Sequence, residues 1–151
     1  MPDGLYERDI LAWSQHQADL LRRLGRGERV NDVDWTNVAE EVESVGLSEL
    51  HASQSFLRLI IVHLLKVHVW PDSDASRHWR GEIVAFQDEA SKRFAPSMRQ
   101  RVNVDGEYAS AVKQLRAIDH AIRVPPENPF TLDQLLNDEL EDLLARLPQP
   151  A

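Results

Sequence analysis

The stretch LRLIIVHLLKVHVWP, Leu57 to Pro71, constrains the fold more than any other part of the chain. Leu57, Ile60, Ile61, Leu64, Leu65 and Val67 recur at helical spacing, with Leu50 ahead of them and Phe56 and Leu59 at the margin. A helix apolar nearly all round is at home only in the middle of a fold. The spacing therefore predicts a buried central helix from near Ser48 to Trp70. Pro71 ends it, because the proline ring and the missing N–H forbid continuation. Arg58, His63 and Lys66 break the run far short of the roughly 18 apolar residues that a membrane span needs.

Helical spacing recurs elsewhere, and no alternation of strand length interrupts it, so the fold class expected is all-α: a compact bundle of five to six helices around the segment 48–70. Tyr6, Ile10, Trp13, Gln17, Leu20 and Leu24 form a first stripe, which Gly25 and Gly27 should end. Asp34 is placed to cap a second helix with Trp35, Val38, Ala39, Val42 and Val45 as its apolar face, and Gly46 should stop it. After the loop PDSDAS, Trp79, Ile83, Phe86, Ala90 and Phe94 mark a fourth helix. Met98, Val102, Ala109, Val112, Leu115, Ile118 and Ile122 mark a fifth, with an interruption near Asn103–Gly106. The Pro-rich connector 124–130 leads to a last helix, 131–146, that opens on a Thr131/Gln134 capping box.

A length of 151 residues suits a single helical domain, 1–151, that needs no staple. The chain has no cysteine, which removes thiolate metal sites, thiol catalysis and disulfides and suits a reducing cytoplasm. Acidic residues stand near the N-terminus where a signal peptide would carry positive charge. The net charge of −8 argues against nucleic acid as a partner, and no membrane partner is expected. The charge is uneven. Residues 77–101 carry six basic and three acidic side chains, while residues 127–146 carry six acidic and one basic. The basic stretch either faces water or meets the acidic tail, in this chain or in a second copy.

Several motifs fall in an order that resembles the bacterial domain-of-unknown-function family 29. NVAEEVESVGLSEL (Asn37–Leu50) followed by HLLK (His63–Lys66) is the core of the likeness. AWSQHQADLLR (Ala12–Arg22), HWRGEI (His78–Ile83), APSMR (Ala95–Arg99) and NPFTLDQLL (Asn128–Leu136) extend it over residues 6–144. The chain departs from the pattern at Val67, where the family favours tryptophan, and at Gln87-Asp88, where it favours Gln-Arg. The resemblance implies an all-helical, cytosolic, bacterial protein, and it implies no activity.

The candidate chemistry is sparse. His63 and His68 lie about 140° apart around a helix and cannot share a ligand. Glu40 and Glu43, at i and i+3, share one side of the second helix, and both carboxylates can reach one cation. A catalytic reading takes Glu40, Glu43 and His63 as a small metal-dependent or acid/base hydrolase, should tertiary contact assemble them. The competing reading makes the glutamates a solvated or ion-paired face and His63 a core histidine. Arg77, Trp79 and Arg80, at the start of the fourth helix, are the candidates for an anion or ligand site. No metal site, no cofactor motif, no phosphate loop and no nucleophile elbow is found. The expected function is accordingly a noncatalytic helical interaction module that binds a protein partner or itself as a homo-oligomer, with an acidic last helix whose leucines suffice to dock onto its own domain or into a partner's groove.

Overall fold

The computed structural model describes residues 4–149, and every one of its regular elements is helical. In chain order these are α1 (Leu5–Arg8), α2 (Ile10–Gly25), α3 (Trp35–Val69), α4 (Ser76–Arg93), a 3-10 turn (Pro96–Met98), α5 (Val104–Ile118), α6 (Leu132–Asn137) and α7 (Leu140–Ala145). By internal packing the chain divides into two compact units, one ending at Leu47 and the other beginning at Ser48.

In the first unit α1 breaks at Asp9, whose carboxylate accepts a hydrogen bond from the Ala12 amide and so starts α2. Gly25 closes α2, and Gly27 follows at φ +85°, the left-handed conformation expected of a helix stop. Asp34 caps α3 as expected: one carboxylate oxygen takes the Asn37 amide at 3.4 Å. The other accepts from Trp13 Nε1 at 3.0 Å and from Asn37 Nδ2 at 2.8 Å. Trp13, Gln17 and Leu20 are the buried side chains of this unit among the described residues.

Two expectations fail here. Gly46 does not stop a helix, and α3 runs on to Val69. A glycine stop requires positive φ, and Gly46 keeps helical backbone with open space where a Cβ would stand. The face set by Trp35, Val38, Ala39, Val42 and Val45 has the predicted spacing but is largely uncovered: Val38 is half-buried, while Trp35 is 59% exposed and Val42 and Val45 are each 69% exposed.

The second unit is built on the apolar part of α3. Leu57, Ile60, Ile61, Leu64 and Leu65 have no exposed surface, which for side chains of this size contributes roughly 1.5–3 kcal/mol each. Ile83 and Ala90 from α4, Ala111 and Leu115 from α5, and Leu135 and Leu143 from α6 and α7 join the same cluster. Buried Ser53 donates to Met98 Sδ at 3.6 Å.

The last segment forms two helices rather than one. Its capping box is present, with Gln134 N donating to Thr131 Oγ1 and Thr131 N to Gln134 Oε1. The helix then breaks because α4 takes its carbonyls. Gln87 Nε2 donates to the Leu135 and Asp138 oxygens at 3.0 and 2.8 Å, and Ser91 Oγ donates to Leu136 at 2.9 Å. Basic residues of 77–101 do meet the acidic tail of the same chain, through Arg99–Asp133 at 3.0 Å and Arg80–Glu141.

Because the Gly46 site is helical and unobstructed, Gly46→Ala should stabilise α3 by about 0.5–1 kcal/mol. Urea unfolding followed by circular dichroism measures this, and a lowered midpoint would show that the glycine serves a bend the helix needs.

Candidate functional site

The side chains singled out by sequence fall into separate settings. In the first unit Glu40 and Glu43 are exposed and make no hydrogen bond or ion pair with the described residues. Their neighbour Glu41 is the engaged carboxylate, since its Oε1 accepts the Tyr6 hydroxyl at 2.6 Å. That hydrogen bond, helped by burial and by the surrounding glutamates, pushes the Tyr6 phenol up to about 12. Tyr6 also stands edge-on to Trp13, with ring centroids 4.8 Å apart. Sequence reasoning missed the Tyr6–Glu41 pair because its members lie far apart in the chain and neither carries a local signature.

His63, in the second unit, has its ring half buried. Nδ1 lies 2.8 Å from the Leu59 carbonyl oxygen. A carbonyl can only accept, so Nδ1 bears the proton and Nε2 is left as an acceptor. The ring stands edge-on to Phe86 at 5.1 Å. Burial lowers its pKa below the ordinary histidine value and Lys66 adds to the effect, while the Leu59 hydrogen bond and Glu82 oppose it. His68 is lowered too, by burial. Among the described residues no group of three or more His, Asp or Glu is placed to hold a metal ion, so Glu40, Glu43 and His63 form no such group.

Arg77, Trp79 and Arg80 do not converge either. Arg80 is held by Glu141, and Arg77 is exposed. Trp79 packs beside Trp70, centroids 6.3 Å apart, with the Lys66 ammonium 5.6 Å from the Trp79 ring centre.

Two features went unread in the sequence. The first is a groove of about 750 Å³ between α5 and the connector. Asp105, Tyr108, Ala109, Val112, Lys113 and Arg116 line one side and Pro125–Asn128 the other. The Tyr108 hydroxyl donates to the Pro125 carbonyl at 2.6 Å, and burial pushes this phenol also up to about 12. Asn128 Nδ2 donates to Asp105 Oδ1 at 2.9 Å. Spacing marked this face of α5 as core, and only the returning connector shows that part of it lines a groove.

The second feature is exposed apolar surface. Ile10, Leu11, Leu21, Leu24, Trp35, Val42 and Val45 of the first unit are exposed, against Val84 and Ile118 of the second. On α3, Trp35, Val42 and Val45 fall within about 80° of arc.

The histidine setting implies a pH dependence. Below about pH 6.5 the unfolded chain takes up protons at His63 that the folded chain resists, so stability is lost on acidification through that range. Urea titrations at pH 7.5 and pH 5.5 should show a smaller loss for His63→Leu than for the parent. Equal losses would contradict the assignment of a neutral, half-buried ring.

A family model described as Domain of unknown function DUF29 matches residues 5–140. The chain is also similar to an alpha-helical protein of unknown function from Rhodospirillum rubrum, whose crystal structure extends to 1.45 Å. The two are 30% identical, the match covers 96% of this chain and 98% of that one, and the TM-score is 0.71. No curated protein matches the chain. Among the described residues no helix is long and apolar enough to cross a membrane.

Proposed function

The chain belongs to the family of the domain of unknown function DUF29, and from that premise we propose that it is a noncatalytic, self-associating helical module whose first unit is completed by a second copy. The observation that carries this reading is the uneven distribution of exposed large apolar side chains. Among the described residues seven lie in the first unit and two in the second, although the first unit is by far the smaller. A segment of that size cannot bury enough surface to be stable by itself. Apolar surface gathered on one face, rather than scattered singly, marks an association site.

Charge supports a second copy as the occupant. Residues 19–29 carry four arginines, Arg22, Arg23, Arg26 and Arg29, against Asp19 and Glu28; Arg22 meets Asp19, and Arg23 and Arg26 share Glu28, which leaves a surplus of two positive charges. Residues 35–47 carry Glu40, Glu41 and Glu43 and no base. The basic end of α2 in one copy therefore complements the acidic, apolar face of α3 in the other. Two such helix pairs can pack as a four-helix arrangement in which Trp35, Val42 and Val45 become core. Of the two places expected for the acidic last segment, its own domain or a partner's groove, Leu135, Leu136 and Leu143 pack in the core of its own unit.

Sedimentation equilibrium tests the reading. The parent chain should be a dimer, and the double substitution Val42→Glu, Val45→Glu should weaken association by at least about tenfold with helix content unchanged. A parent chain that stays monomeric near 1 mM, where an association of roughly 4 kcal/mol would register, would rule out self-association and leave a different protein as the partner.

A further inference from the structure

The groove between α5 and the connector has opposite charge at its two ends. Asp105, Glu127 and Asn128 stand at one end, where the Asn128 amide bonds Asp105. Lys113 and Arg116 stand towards the other, on the same face of α5 and two to three turns further along. At 1.5 Å of rise per residue, Lys113 and Arg116 lie about 12 and 16 Å along the helix from Asp105. The floor between the ends is Ala109, Val112 and the Tyr108 ring, faced by Pro125 and Pro126.

One further observation separates this arrangement from an ordinary solvated face. The walls are preformed: Tyr108 holds the connector by its Pro125 carbonyl, and the prolines fix their own backbone. Asn128 is bonded both to Asp105 and to the Phe130 backbone at each of its polar groups. The cations are also unspent. Lys113 and Arg116 are exposed and their side chains make no hydrogen bond or ion pair with the described residues, as is true also of Arg77, Arg101 and Arg123 in the same unit, so both are available to a ligand in the groove.

From these features we propose that the groove binds an extended peptide segment of about four or five residues, with a cation at its acid-facing end and a carboxylate at its base-facing end. At about 3.3 Å per residue, such a segment spans the separation of the two charged ends. The volume falls within the range of about 300–1,000 Å³ usual for ligand sites. A nucleic acid is disfavoured by the carboxylates at one end, and a wholly apolar ligand would leave both ends unmatched. This site is independent of self-association, since it lies on the second unit.

The test is a nitrogen-15 NMR titration of the full chain with the unblocked pentapeptide Lys-Ala-Pro-Ala-Glu. The expected result is saturable shifts confined to the α5 face and to the Glu127 and Asn128 amides. The double substitution Lys113→Glu, Arg116→Glu changes exposed positions only. It should weaken this peptide by at least about tenfold and favour Lys-Ala-Pro-Ala-Lys with a blocked C-terminus. No saturable shift near 1 mM, shifts outside the groove, or equal binding by the double variant would each overturn the proposal. Circular dichroism of the variant distinguishes lost binding from lost fold.

Discussion

Everything in the second unit depends on the burial of one face-less helix. Leu57, Ile60, Ile61, Leu64 and Leu65 leave α3 with apolar surface on almost every side, and α4, α5, α6 and α7 each contribute side chains that remove it from water. The rim of this core is made of amphipathic residues. The Lys66 ammonium lies over Trp79, and the guanidinium groups of Arg93 and Arg99 lie over Phe56 and Phe94, so the cationic groups themselves face aromatic rings. His63 is tolerated in this setting because the Leu59 carbonyl takes its one proton and the remaining nitrogen carries no charge.

The first unit is organised differently. Its long-range order comes from polar groups: Trp13 Nε1 on Asp34, the Asp34 amide on Gln17 Oε1 at 2.8 Å, and the Tyr6 hydroxyl on Glu41. Such hydrogen bonds fix geometry but contribute only about 0.5–1.5 kcal/mol each. They cannot replace the burial that Trp35, Val42 and Val45 lack. One helix thus meets two environments, a completed core beyond Ser48 and an open apolar face before Leu47.

Features with a local physical cause were legible in the sequence. Asp34 and Thr131 cap helices because side-chain oxygens next to free amides do so wherever they occur. Pro71 lies just beyond the end of α3 for an equally local reason. The all-α class followed from apolar period alone. Features with nonlocal causes were not legible. The α6–α7 break depends on Gln87 and Ser91 arriving from α4. The role of Glu41 rather than Glu40 or Glu43 depends on Tyr6. Gly46 was misread because glycine ends a helix only when the chain takes positive φ, and nothing around Gly46 demands that. The apolar stripe of α3 was read correctly as a stripe, but its spacing could not say whether the chain itself supplies the cover.

The most direct measurement is amide hydrogen exchange along α3 at several protein concentrations. Residues 53–67 belong to a core the chain completes by itself, so their protection should not depend on concentration. If a second copy covers the face of Trp35, Val42 and Val45, protection of residues 38–46 should rise with concentration by mass action. Protection of residues 38–46 that stays the same from the most dilute to the most concentrated sample would contradict the claim that the first unit is completed by association.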